Sequence, residues 1–315
     1  MTHRRPHSAL PLDYLGSRVR ASTAFAAGAQ PTPAASVAVM KNALRCAFAL
    51  STVLMLGASA RAASPPLPRP AHVVIVVEEN RSLAQVLDDP QARYIHDLFK
   101  RGALFTNAHG VTHPSLPNYL ALFSGLTNDN RDGCPATGVP RDAPNLGSEL
   151  LAAHLTFAGY SESLPEEGST VCAAGRYGRK HVPWVHFSNV PSSLNKPFSA
   201  FPPYEKLPTV SFVIPDIIDD MHDSTIAVGD VWLKAHLGSL VDWAQKNDTL
   251  VILTWDEGLD DGNTIPTAFI GTMVRPGKYT ERIDHYRVLR TIEAMYGLPP
   301  AGHTAAVEPI TNCWR

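Results

Sequence analysis

A chain of 315 residues, 44% hydrophobic and 18% charged, holds enough apolar material for a sizeable core, and one catalytic domain is the economical reading. A formal net charge of −2 excludes the global positive field that gathers nucleic acid or an anionic membrane surface. These numbers favour a small, locally attracted substrate as partner, with no nucleic acid and no stable membrane insertion. They do not bear on oligomeric state.

Residues 1–39 lack apolar periodicity and are rich in Arg, Ala, Pro and Ser, whereas Met40 opens a three-part pattern. Lys41 and Arg45 precede the apolar run Ala47–Leu56, which leads to Ala60-Arg61-Ala62. That layout is a secretory signal peptide, and its apolar run is shorter than the ~20 residues of a spanning helix. We therefore read 1–39 as a mis-assigned N-terminal extension, 40–62 as the signal peptide, and the mature protein as exported, periplasmic or secreted. Residues 63–70 are Pro-rich and form a leader to a domain over 71–315. Export sets an oxidising context for Cys134, Cys172 and Cys313. Cys134 and Cys172 flank a loop-rich insertion, and a bridge between them closes a loop of about 39 residues, worth ~4 kcal/mol in the chain-entropy model. Cys313 is then a free or intermolecular thiol; three unpaired buried cysteines are the alternative.

From residue 71 short β-branched runs alternate with longer amphipathic segments, which predicts an α/β fold with a mainly parallel central sheet sandwiched by helices. The first strand, His72–Val77, leads into Glu78-Glu79-Asn80. Helix Ala92–Arg101 and strand Ala103–Thr106 follow, then helix Pro117–Ser124. Residues 127–145 and 160–208 are rich in Pro, Gly and Ser and read as long loops, separated by helix Leu146–Ala158 behind a cap at Asn145. Strand Thr209–Ile214 runs into Pro215-Asp216, helix Val228–Lys246 follows, and strand Leu250–Thr254 runs through Trp255 into Asp256-Glu257-Gly258. Strand Thr267–Val274 and helix His285–Tyr296, stopped by Gly297, complete the order.

In a parallel sheet, ligands bind outside the carboxyl ends of the strands. Acidic residues after three strands should converge on one edge, where they repel unless a cation neutralises them. Oxygen donors favour Mg²⁺, Ca²⁺ or Mn²⁺. The alternative is a set of separate caps and solvated loop carboxylates. Ser115 likewise carries two readings. Its place ahead of Pro117 suits an N-cap, while free N–H groups and the dipole at a helix start also attract a phosphate and favour an alkoxide.

The segments Val77-Glu78-Glu79-Asn80-Arg81-Ser82, His113-Pro114-Ser115-Leu116-Pro117-Asn118-Tyr119, Tyr177 with Lys180-His181, Pro215-Asp216 through Asp219-Asp220-Met221-His222-Asp223, Gly229-Asp230 with Trp232-Leu233, and Thr254-Trp255-Asp256-Glu257 together resemble the phosphoesterase family of secreted acid phosphatases and bacterial phospholipases C. The resemblance spans about residues 72–311, is closest to the shorter acid-phosphatase branch, and implies an alkaline-phosphatase-like fold. It implies a divalent metal on Glu79, Asn80, Ser115, Asp256 and Glu257, with Ser115 the nucleophile. Asn118, Lys180, His181 and Asp223 fall where the substrate phosphate is bound, and His222 where a leaving group is protonated. Asp220 stands where the wider superfamily places a zinc-binding histidine, which argues for one metal rather than two. The function implied is a metal-dependent acid phosphatase acting on phosphomonoesters through a phosphoserine. A phospholipase C-type phosphodiesterase shares the chemistry, but the chain offers no Trp-rich or basic amphipathic segment for membrane docking. An inactive secreted phosphate-binding protein is the non-enzymatic rival.

Overall fold

The computed structural model describes residues 67–129 and 131–315. The extension 1–39, the signal peptide 40–62 and the start of the leader lie outside the described residues. Pro70, at the end of the leader, accepts a hydrogen bond from the Tyr296 hydroxyl at 2.9 Å.

Strand β1 (His72–Glu78) is a run of β-branched residues buried on both sides, as a central strand must be. It lies between β7 (Val210–Ile214) and β8 (Thr249–Trp255), parallel to both. Beyond β7 come β3 (Phe157–Ser161) and β6 (Asn195–Pro197), also parallel. Beyond β8 the sheet continues through β9 (Thr264–Ile270), antiparallel to both neighbours, to β2 (Ala103–His109), which pairs with β10 (Gly277–Tyr279) and β11 (Ile283–Asp284). A separate two-stranded ribbon joins β4 (Ala173–Ala174) to β5 (Tyr177–Gly178). The expected mainly parallel sheet is present.

Helices flank it in two groups. Helix α2 (Arg93–Arg101) packs on α5 (Ile226–Ala244), while α3 (Ser115–Ser124) packs on α4 (Leu146–Ala152) and α6 (His285–Tyr296). A short α1 (Leu83–Asp88), absent from the sequence reading, is held by a capping box between Ser82 and Gln85. Helix α3 is apolar on nearly every face, and all ten of its residues are buried, so it runs through the core. It stops at Gly125, whose φ of 67° is left-handed and whose N–H bonds the Ala121 carbonyl.

Two boundaries differ most from expectation. The helix from Leu146 ends at Ala152, and Phe157–Ser161 is a strand, because a short apolar run buried on both sides carries no period to separate it from a helix. Strand β9 ends at Ile270, where Gly271 comes close to the Thr249 backbone; Val274 makes only an isolated bridge to Trp314. The loop-rich segment 160–208 carries short 3₁₀ turns, including Arg179–His181, and is tied to the loop after α3 by the disulfide Cys134–Cys172. Cys313 is free and buried. Among the described residues no helix is long and apolar enough to cross a membrane.

Candidate active site

Because β1 and β8 are parallel and Glu78 pairs with Trp255, the next residues of the two strands emerge side by side. Asp256 N–H extends the ladder to the Glu78 carbonyl at 2.9 Å, and Asn80 N–H donates to Asp256 Oδ1 at 3.1 Å. Asn80 has a left-handed φ of 54°, a conformation asparagine tolerates better than most residues, and its turn ends the strand at this point. From α6, fully buried His285 meets the Asp256 carbonyl through Nε2 at 2.6 Å. Burial holds this imidazole below its ordinary pKa, so it is a neutral Nε2–H donor that fixes the Asp256 backbone.

Ser115 is the first residue of α3, and Pro114 takes the cap position. The N-cap reading is thereby corrected, since Ser115 makes no capping bond. Its hydroxyl instead donates to Glu79 Oε2 at 3.1 Å and faces Glu257 Oε1 at 3.5 Å. Glu257 is held from the other side by His113, whose Nδ1 lies 2.6 Å from Oε2. Glu79 and Glu257 thus face one buried hydroxyl, and Asp256 lies close enough to both for their charges to act on it. Burial, together with repulsion from Glu79 and Glu257, pushes the Asp256 carboxyl well above its usual range. Burial also raises Glu257, where Glu79 adds to the rise and His113 opposes it. Asp256 Oδ2 is buried without a hydrogen-bond partner.

His181 lies between carboxylates, with Nε2 2.9 Å from Glu79 Oε1 and Nδ1 3.1 Å from Asp220 Oδ2, and stacks on Tyr119. Burial alone would lower its pKa, but the two carboxylates outweigh burial and hold it up at about 10. Glu79, despite burial, is held down at about 2 by His181. The resemblance puts His181 beside the phosphate; in the structure its ring is buried, with one nitrogen toward Glu79 and the other toward Asp220. Asn118, expected near the phosphate, is buried at the start of α3. Its Oδ1 accepts from Val111 and Thr112 N–H and its Nδ2 donates to the Thr112 and Pro114 carbonyls, so its amide shapes the loop that delivers Ser115.

The solvent side of the site is formed by His222, Lys180 and Asp223. His222 Nδ1 faces Asp223 Oδ1 at 2.7 Å, its Nε2 faces Lys180 Nζ at 3.0 Å, and its N–H donates to Asp220 Oδ1. A donating ammonium at Nε2 and an accepting carboxylate at Nδ1 together fit the Nδ1–H tautomer. Ligand atoms of Glu79, His181 and His222 lie within 4.8 Å of one another. Asp216, read as part of the acidic edge, is not in the site: its carboxylate accepts from Ile218 and Asp219 N–H and from Ser163, closing its own turn. Asp220, four residues on, turns its Oδ2 toward His181 Nδ1 at 3.1 Å. Sequence reasoning gave no role to His113, Tyr119 or Asp132. Tyr119 was accessible, since it stands one helical turn from Ser115.

The Phosphoesterase family profile matches residues 85–299. Over 259 residues, covering 80% of this chain and 85% of the relative, the chain is 54% identical to a phosphatidylinositol-3-phosphatase of Mycobacterium tuberculosis. It is 30% identical over 231 residues to an acid phosphatase of Aspergillus fumigatus, spanning 65% of this chain but about half (51%) of that protein. A protein of the alkaline phosphatase superfamily from Vibrio parahaemolyticus shares the fold, with a TM-score of 0.54 at 13% identity, over 78% of this chain and 72% of that one. The chain belongs to the Phosphoesterase family and is a hydrolase of phosphoric esters.

Proposed function

We propose that this protein is an exported, metal-dependent phosphatase that hydrolyses phosphomonoesters through a phosphoserine on Ser115. The observation that carries the reading is the Ser115 hydroxyl, buried at the start of α3 and facing Glu79 and Glu257. The donor set fits a divalent cation: hard oxygens of Glu79, Asp256, Glu257 and Ser115, with Asn80 adjoining, and an Asp256 oxygen lacking any partner. A cation held there supplies charge neutralisation and lowers the pKa of the serine hydroxyl.

In the first step Ser115 Oγ loses its proton to a carboxylate it already faces and attacks phosphorus in line. The phosphorus–oxygen bond of the ester breaks as the serine bond forms. We assign protonation of the departing alcohol to the His222 and Lys180 pair, with Asp223 orienting the ring. Water then attacks the phosphoserine, releasing inorganic phosphate and returning the hydroxyl. Charge on the equatorial oxygens is met by Lys180 and by the N-terminal N–H groups of α3.

Export is supported by the tripartite pattern over 40–62 and by the disulfide, a bond that persists in oxidising compartments. The mature domain would begin after Ala62. The name of the mycobacterial relative makes an inositol lipid 3-phosphate the first substrate to assay. The decisive experiment is Ser115→Ala. The variant should stay folded, retain phosphate binding, lose on the order of 10³-fold or more in turnover, and form no acid-stable phosphoserine on quenching. A folded Ser115→Ala protein with near-parental turnover would show that the covalent mechanism is wrong.

A further inference from the structure

The loop after α3 sets a carboxylate against the groups that a phosphate on Ser115 needs. Asp132 Oδ1 accepts the N–H of Leu116, the residue next to Ser115, at 3.0 Å, and its Oδ2 lies 3.1 Å from Lys180 Nζ. Lys180 is in turn 3.0 Å from His222. A helix N–H beside the nucleophile and an ammonium above it are the donors that a phosphoryl group seeks, and a carboxylate offers the same paired anionic oxygens.

The segments that carry Lys180 and Asp132 are fastened together. Cys134, two residues after Asp132, is bridged to Cys172, and the Cys172 carbonyl accepts the N–H of Arg179, next to Lys180. The disulfide thus ties the segment that carries Asp132 to the one that carries Lys180. Its side chain is 29% exposed, so the ion pair contributes little to stability and water can reach it.

We infer that Asp132 is a resident anion in the phosphate seat, an internal competitor that an incoming phosphoryl group must displace from Leu116 N–H and Lys180. The inference rests on the reading that the phosphoryl group is received at Ser115. Displacement lowers the apparent affinity of every ligand that takes the seat by one common factor, the fraction of molecules in which the seat is open. A carboxylate that merely caps α3 would change stability and leave phosphate affinity alone.

The test measures inorganic phosphate as a competitive inhibitor of a soluble aryl monoester, and phosphate binding by calorimetry. Asp132→Ala and Asp132→Asn are compared with the parent and again in a Ser115→Ala background, with thermal melting as the check on folding. The expected result is tighter phosphate binding in Asp132→Ala, by about tenfold for one unit of nearby charge and two displaced contacts. The tightening should be the same factor in both backgrounds, and smaller in Asp132→Asn, which keeps the shape and loses the charge. Unchanged affinity with a lower melting temperature makes Asp132 a cap and overturns the inference; weaker affinity makes it a support for Lys180 and also overturns it. An active Ser115→Ala enzyme would defeat the covalent mechanism, while the phosphate measurement would still decide the role of Asp132.

Discussion

Two clusters of carboxylates sit near the C-terminal edge of the sheet, and their oxygens are used differently. Ligand atoms of Glu162, Asp216 and Asp219 also lie within 4.8 Å of one another. There, Glu162 accepts from the Trp232 indole and from Asp216 N–H, and Asp216 accepts from two backbone N–H groups and Ser163. Neutral donors satisfy Glu162 and Asp216, which serve to build turns. Around Ser115, by contrast, Asp256 Oδ2 has no partner and Glu79 Oε1 faces only the His181 ring. Proximity of acids is common to both clusters. What separates a ligand-binding cluster from a structural one is buried oxygen left unsatisfied by the chain itself.

Substitution in each cluster gives the largest test of that difference. Asp256→Asn should keep its fold and lose on the order of 10³-fold in kcat, measured on an aryl monoester, because a ligand and its charge are both removed. Asp216→Asn should do the reverse, losing about 1–3 kcal/mol in denaturant melts while kcat changes little. Equal catalytic losses in both would erase the distinction.

Metal should sharpen it further. After chelation, returning a divalent cation to ~100 times its dissociation constant adds about 2.7 kcal/mol, or roughly 5–10 °C in melting temperature for a domain this size. Asp256→Asn should lose most of this rise and Asp216→Asn should keep it. A parent protein whose melting temperature ignores chelator and cation would remove the metal site.

The smallest effect concerns a carboxylate belonging to neither cluster. Glu149 in α4 has an unpartnered buried oxygen, and burial, with Glu293 nearby, pushes its pKa up to about 7. Between its unfolded value near 4.5 and about 7, the unfolded chain has released this proton while the folded one keeps it. Stability should therefore fall as pH rises through that window. Glu149→Gln should flatten the fall, as read by melting temperature against pH.

Much of this arrangement was legible in the sequence because strand ends are local. Val76-Val77 before Glu78-Glu79-Asn80, and Leu253-Thr254 before Asp256-Glu257, locate two edges of one sheet wherever the strands finally pair. The cysteine pairing was legible for the same reason, as both flank one insertion. What stayed hidden depends on side-chain direction. Asp216 and Asp220 lie in one acidic run and each accepts the N–H two residues on, and only the partner of the second oxygen, Ser163 for Asp216 and His181 for Asp220, tells them apart. Asn118 and His181 were placed at the phosphate by resemblance, and the bonds that hold them, to the loop before Ser115 and to Glu79 and Asp220, are between segments far apart or buried and leave no local pattern. Asp132 left no signal, lying in a loop whose composition marks it only as irregular.

Met221, between Asp220 and His222, has a left-handed φ of 77° and is fully buried. It rests on Gly229 of α5, where an added Cβ would meet Met221 Cγ at 2.7 Å and the Asp219 carbonyl at 3.2 Å. Helix propensity alone prefers alanine there by about 1 kcal/mol. The bend that presents two site residues thus depends on an empty volume inside a helix. In a survey of substitutions, this buried helix position outside the site should tolerate replacement as poorly as a site residue, because an added side chain displaces Met221 beside His222.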